Sequence, residues 1–321
     1  MFISQVYKGV YEGWKYILGF FVVFVIGAQV IGAIPFGIAV IMKSIKDEGD
    51  FNMSSLDDIY TLFESNTTLA LMLIPFAVGM VILFFWMKYI HKQSFVSLTT
   101  SRKKIDCKRV FFAFGLWATI VIAMTLIDYQ LSPENYQWNF DLQKFAVLFA
   151  IAIVLVPIQT SFEEYIFRGY LMQGIGAAAK NKWVPLVVTS FIFGLMHIAN
   201  PEVEKIGYII MVYYIGTGFF LGIITLMDEG MELALGFHAA NNLVTALLVT
   251  ANWTAFQTNS ILKDMSEPAA GYDVLVPVLV IFPILLFIFS KKYQWNNWKE
   301  KLTGKVINPL GTNVISKLGE Q

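Results

Sequence analysis

The chain has 321 residues, of which 57% are hydrophobic and 14% are charged, and its 23 basic side chains equal its 23 acidic ones in number. This composition is too apolar for an ordinary soluble domain, so a membrane protein is expected. The balanced charge identifies no partner, and no nucleic-acid partner is expected. Cys107 is the only cysteine, which excludes an intramolecular disulfide and a cysteine-based metal cluster.

About eight apolar stretches reach or approach the roughly 20 residues that a helix needs to cross the hydrocarbon core of a bilayer. The first is too long for the core of a cleavable signal peptide and has no cleavage site after it, so we interpret it as a true span. The sequence therefore predicts an all-α, polytopic membrane protein, a bundle of about eight transmembrane helices. The predicted spans lie near residues 16–42, 68–90, 110–128, 145–167, 183–199, 206–227, 233–251 and 273–290.

Charged residues between the spans predict which side of the membrane each link occupies. The link between the second and third spans is strongly basic and is expected in the cytoplasm, whereas the acidic stretch 47–64 is expected outside. Counting spans from there places the N-terminus, the link with Lys180 and Lys182, and the Lys-rich tail in the cytoplasm. The acidic link "MDEGME" falls on that side too, but acids contribute little to this rule.

Six ionisable or amide side chains fall within the apolar segments, where each charge costs a few kcal/mol and usually faces the bundle interior with a functional role. They are Glu163, Glu164 and Arg168 in "PIQTSFEEYIFRGYL", His197 in "FIFGLMHIANP", and His238 and Asn242 in "LGFHAANN". The third histidine, His91, ends a span beside Lys92 and is expected at the membrane surface. Gly218 and Gly222 form a small-residue pair that would let another helix approach closely.

Helical spacing predicts how these side chains are arranged. Glu164 and Arg168 are four residues apart and are expected to form an ion pair on one helix face. Glu163 points about 100° away and is free to face a cavity. His238 and Asn242 share one face of the seventh span.

The depth of these side chains constrains the fourth helix. If that helix ended at Gly169, Glu163 would lie about 9 Å from its end, whereas His197 would lie about 21 Å from Trp183, and the two could not meet. Either the helix continues past Gly169, to Gly174 or Gly176, or the link to Lys180 folds back into the bundle; we expect the first, because "YLMQGIGAAA" is apolar enough to remain inside.

A carboxylate, two imidazoles and an amide in a membrane interior indicate hydrolysis, and two versions use the same atoms. In the first, Glu163 takes a proton from water while imidazole and amide donors stabilise the oxyanion. In the second, Glu163, His197 and His238 bind zinc with an open position for water. The ligand count favours the zinc version, but Glu164 is expected to be held by Arg168 and therefore not to orient a histidine ligand. Asn242 is a poor zinc ligand and has the oxyanion role in both versions.

The segments "EEYIFR", "FGLMH" and "HAANN" resemble three motifs of the CPBP intramembrane proteases, also called the Abi family, which include CAAX prenyl endopeptidases and bacteriocin-processing enzymes. The motifs occur in the right order on separate spans, over about residues 145–250. The resemblance implies that Glu163 activates water, that Glu164 and Arg168 organise the site, and that His197, His238 and Asn242 complete it. We divide the chain into three N-terminal spans (1–144), a CPBP-like catalytic core (145–251), and the last span with its tail (252–321).

The resemblance also implies a peptide or protein substrate, lipid-modified or membrane-associated, that arrives from the cytoplasmic side. The expected location is the cell membrane of a bacterium, with both termini in the cytoplasm. Two alternatives stay open: an ion-coupled transporter, since buried Glu, Arg and His also form proton relays, and a non-catalytic adaptor that retained the motif residues. The lack of repeats and of paired broken helices argues against the transporter.

Overall fold

The computed structural model describes residues 1–46, 62–269 and 271–309. Its scaffold consists of long helices, which we number along the chain. They are α1 (Gly13–Lys46), α2 (Ser65–His91), α3 (Cys107–Leu131), α4 (Leu142–Ala179), α5 (Trp183–Leu195), α6 (Tyr208–Asp228), α7 (Glu232–Leu248) and α8 (Val274–Tyr293). Shorter helices cover Ile3–Lys8, Phe95–Thr99, Pro133–Asn135, Pro201–Ile206 and Trp298–Thr303. Most of the predicted outer loop 47–64 lies outside the described residues.

A polytopic helical membrane protein is confirmed, but a count of eight crossings is not. Within the described ranges, six helices are long and apolar enough to span a bilayer: α1, α2, α3, α4, α6 and α8. The other two, α5 and α7, have 13 and 17 residues. At about 1.5 Å per residue they measure roughly 20 and 26 Å, less than the ~30 Å hydrocarbon core.

The links between helices gather on two opposite faces of the bundle. We call the first the basic face, formed by residues 1–12, 92–106, 180–182, 229–231 and 294–309. Its segments bond to one another: Ser101 N donates to Glu229 O at 3.0 Å, and Lys182 N donates to Gly304 O at 3.0 Å. All links predicted to be cytoplasmic lie here together.

The second face, which we call the sheet face, is formed by residues 132–141, 196–207 and 249–269. It carries a small three-stranded sheet in the order β1 (Tyr136–Trp138), β3 (Leu262–Asp264), β2 (Val249–Ala251), with β1 antiparallel and β2 parallel to β3. Ala255 N donates to the Glu202 carboxylate at 2.8 Å and ties two of these links together.

The acidic link after α6 lies on the basic face because its acids pair with arginines there. Arg102 contacts Asp228 at 2.8 Å and Glu232 at 3.0 Å, and Arg109 also pairs with Asp228. Glu232 is fully buried and Asp228 almost so. The acids that did not fit the charge pattern therefore act as counterions of the basic loop.

Two expectations about packing have opposite outcomes. A Cβ atom on Gly218 would lie 2.6 Å from Ser190 O, so the small-residue pair does let α5 approach α6 closely. The expectation for His91 was wrong, because its side chain is fully buried. Its Nδ1 lies 2.6 Å from Val10 O and its Nε2 3.0 Å from the Tyr170 hydroxyl, since the N-terminal segment covers the end of α2.

Candidate active site

The length of α4 sets the depth of the site. Its 38 residues run without a break to Ala179, so the expected continuation past Gly169 is confirmed and exceeds the predicted end. Glu163 lies 16 residues before Ala179, about 24 Å, and His197 lies 14 residues after Trp183, about 21 Å if the helical rise continued. The two side chains therefore reach a similar depth. A π-helical segment, Tyr165–Leu171, follows the two glutamates directly.

Glu164 and Arg168 form the predicted ion pair, with Nη1 to Oε1 at 3.0 Å and both side chains fully buried. Arg168 Nη2 also donates to Gly218 O at 3.1 Å, and its guanidinium lies over the Phe193 ring at 4.2 Å. The same Oε1 atom of Glu164 lies 2.8 Å from His238 Nδ1. Glu164 thus links the arginine of the first motif to the histidine of the third.

Glu163 faces a cavity, as its helical angle predicted. Its Oε1 accepts a hydrogen bond from Gln159 Nε2 at 2.6 Å. Its Oε2 is buried, has no hydrogen-bond partner among the described residues, and lies 3.6 Å from His238 Nε2. This carboxylate oxygen can therefore still accept a hydrogen bond.

His197 lies in the turn just beyond the end of α5. Its Nδ1 lies 2.8 Å from Phe193 O, and its ring stacks on Tyr214 with centroids 4.4 Å apart. Phe193, one turn earlier on α5, also packs against His197. Because a carbonyl and an ion-paired carboxylate only accept, Nδ1 of both His197 and His238 must carry hydrogen. In the neutral rings Nε2 is then the nitrogen without hydrogen, and it can accept a hydrogen bond.

A chain of three side-chain amides holds Glu163, and its direction is fixed at both ends. Trp117 Nε1 donates to Asn241 at 3.1 Å, Asn241 to Asn242 at 3.0 Å, Asn242 to Gln159 at 3.1 Å, and Gln159 to Glu163. Indole N–H can only donate and an ionised carboxylate can only accept, so every amide between them has one orientation. One Asn242 N–H bonds to Gln159, and the second is available to the cavity.

Sequence reasoning did not include Gln159 or Asn241 among the site residues. The available signal was spacing: Gln159 lies four residues before Glu163, where side chains on a helix meet. In the structure Gln159 connects Asn242 to the Glu163 carboxylate, and Asn241 connects Trp117 to Asn242.

The cavity has a volume of about 460 Å³, and much of its wall is apolar. Aromatic and thioether side chains contribute Phe24, Met72, Phe76, Phe167, Met196 and Phe256. The charged side chains among its described lining residues are all acidic: Glu163, Glu202 and Asp264. Burial raises the pKa of Glu202, and the hydrogen bond from Ala255 N partly offsets this.

The predicted zinc ligands Glu163, His197 and His238 have suitable donor atoms, since Nε2 of each ring is available. The expectation that no carboxylate would orient a histidine was wrong, because Glu164 accepts from His238 Nδ1. Within the described part of the chain, however, no three His, Cys, Asp or Glu side chains are grouped closely enough to hold a metal ion. In this arrangement the three donors do not form a metal-ligand set, and both the zinc version and the metal-free version of the reaction stay predictions.

All six residues singled out from the sequence belong to this one region. Glu163, Glu164, Arg168, His238 and Asn242 are joined directly or through Gln159, and His197 lines the same cavity. Their catalytic roles stay predictions.

Comparison with known proteins gives two matches. Residues 142–244 match the family model described as type II CAAX prenyl endopeptidase Rce1-like. The uncharacterized protein YyaK of Bacillus subtilis (strain 168) is 31% identical over 241 residues, which cover 74% of this chain and 78% of that protein. No solved structure matches the chain significantly.

Proposed function

Since the chain belongs to the Rce1-like family of type II CAAX prenyl endopeptidases, we propose that it hydrolyses a peptide bond with water activated by Glu163. As a member of this protease family it is an integral membrane protein. The observation that carries this proposal is the pairing of Glu163 Oε2 with His238 Nε2 at 3.6 Å beside a cavity. The distance is too long for a direct hydrogen bond. With Nδ1–H donating to Glu164, a neutral His238 and the carboxylate are both acceptors.

Two facing acceptors suit a water molecule that donates one hydrogen to each. Glu163 would take one proton as the water oxygen bonds to the carbonyl carbon of the substrate, which yields a tetrahedral oxyanion. The carbon–nitrogen bond then breaks, and the proton passes to the leaving nitrogen. The products are a free amine and a carboxyl group that keeps the second proton of the water.

Asn242 and His197 have different roles in this reaction. The second Nδ2 hydrogen of Asn242 would bond to the oxyanion. Neutral His197 keeps its hydrogen on Nδ1, donated to Phe193 O, so its Nε2 accepts. His197 therefore suits the transfer of the proton from Glu163 to the leaving nitrogen.

The substrate is proposed to be a peptide or protein segment at the membrane. The apolar wall of the cavity can bind hydrophobic side chains or an attached lipid. Glu163 lines the same cavity, where it would activate the water that attacks the scissile peptide bond. The transporter and adaptor alternatives are not favoured, because family membership indicates a protease and the motif residues are joined in one hydrogen-bonded site.

The proposal is tested with protein reconstituted in liposomes and membrane-anchored peptides with and without a prenyl group, with products identified by mass spectrometry. We expect cleavage at one internal bond, and Asn242→Ala should lower kcat by about 10²- to 10³-fold if its amide donates to the oxyanion. Asn252→Ala, on an exposed loop outside the cavity lining, is the matched control. No cleavage of any peptide, or equal rates for the two variants, would contradict the proposal.

Metal dependence is a separate prediction. Because Glu163, His197 and His238 do not form a metal-ligand group, we expect the purified protein to keep its activity after prolonged chelation and to contain no stoichiometric metal by elemental analysis. Stoichiometric zinc that is lost together with activity, and that restores activity when added back, would instead identify these three residues as ligands.

A further inference from the structure

The walls of the cavity come from the helices and from one face of the bundle. Asn200 and Glu202 belong to the link between α5 and α6, Trp253–Phe256 belong to the link after α7, and Asp264 belongs to β3. All of these lie on the sheet face. None of the described lining residues comes from the basic face.

On the side of the basic face, a short helix separates the site from the membrane surface. The short helix Phe95–Thr99 covers α4 there, where the Thr99 and Tyr165 hydroxyls lie 2.8 Å apart and Gln173 Nε2 donates to Ser97 O at 3.0 Å. Thr99 and Gln173 are fully buried. The Glu164–Arg168 pair on the same helix is also fully buried.

The charges of the links orient these two faces in a membrane. Among the residues described by the structure, the basic-face links carry ten Lys or Arg: Lys8, Lys92, Arg102, Lys103, Lys104, Lys180, Lys182, Lys299, Lys301 and Lys305. The sheet-face links carry two, Lys205 and Lys263. By the positive-inside rule the basic face is cytoplasmic, and the sheet face is on the outer side.

We propose that the substrate reaches the cavity from the extracytoplasmic side. The short helix α5, about 20 Å long, ends within the bundle and leaves His197 accessible from the sheet face. The substrates would then be exported or membrane-anchored polypeptides that present the scissile bond outside the cytoplasm. This rests on the proposed function and contradicts the cytoplasmic access implied by the family resemblance.

Cysteine accessibility tests the direction of access without measuring catalysis. The native Cys107 is exposed and begins α3 beside the basic face, so it reports the cytoplasmic side. In a Cys107→Ser background, Thr245→Cys places a thiol in the cavity wall, and Asn252→Cys places one on the exposed sheet-face link. Thr119→Cys, the same substitution on the exposed middle of α3, is the lipid-facing control. The full chain is expressed in bacterial cells and treated with a membrane-impermeant methanethiosulfonate.

In intact cells we expect labelling of Thr245→Cys and Asn252→Cys, while Cys107 is labelled only after the cells are permeabilised and Thr119→Cys stays unlabelled. Labelling of Cys107 in intact cells with no labelling at position 252 would overturn the proposal. So would a Thr245→Cys thiol that reacts only after permeabilisation. The expected labelling without any peptide cleavage would refute the proposed hydrolysis and leave the direction of access intact.

Discussion

Replacement of Glu163 by glutamine is expected to abolish peptide hydrolysis while the fold is kept. The two side chains have nearly the same volume, and the new amide oxygen can still accept the hydrogen bond from Gln159 Nε2. What is lost is the base, because an amide cannot take a proton from water at neutral pH. General-base catalysis is worth about 10²- to 10⁴-fold, so the rate should fall by at least that factor.

The measurement is cleavage of the anchored peptide by reconstituted protein, beside the unfolding temperature in detergent. Glu202→Gln is the matched control, because Glu202 lines the same cavity but accepts its hydrogen bond from Ala255 N and not from the Gln159 amide that bonds to Glu163. It should keep most of its activity. If Glu163→Gln still cleaves the peptide at the rate of Glu202→Gln, the mechanism is wrong.

The features that the sequence predicted well are those recorded in local composition and spacing. Apolar runs located every long helix among the described residues, and the spacing of Glu164 and Arg168 predicted their ion pair. The continuation of α4 past Gly169 followed from a depth argument that needed only the helical rise. Each of these inferences uses neighbours along the chain.

The features that the sequence did not predict depend on contacts between distant segments. Hydropathy could not show that α5 ends after 13 residues, because the turn that holds His197 is apolar too. His91 looked superficial beside Lys92, but the N-terminal segment covers it. The bond from His238 to Glu164 joins residues 74 apart in the sequence, and no spacing rule predicts such a contact.

Replacement of Arg168 by alanine is expected to destabilise the protein by about 3–5 kcal/mol, the usual cost of leaving a buried charge without its partner. Glu164 would lose the guanidinium at 3.0 Å, and Gly218 O would lose its bond from Nη2. The measurement is thermal unfolding in detergent, followed by tryptophan fluorescence and gel filtration. Arg109→Ala is the control, since Arg109 is partly exposed and its partner Asp228 keeps Arg102. An Arg168→Ala protein as stable as the Arg109→Ala protein would contradict the buried-pair interpretation.

A double substitution, Glu164→Met with Arg168→Met, separates two reasons for keeping this pair. Removing both charges together avoids an unpaired ion, and apolar side chains of similar size often replace a buried pair with little loss of stability. We therefore expect the double variant to unfold closer to the wild-type temperature than Arg168→Ala does. It should still be inactive, because His238 Nδ1 loses the acceptor at 2.8 Å that orients its ring toward Glu163. A stable double variant that cleaves at the wild-type rate would make the pair a structural contact alone.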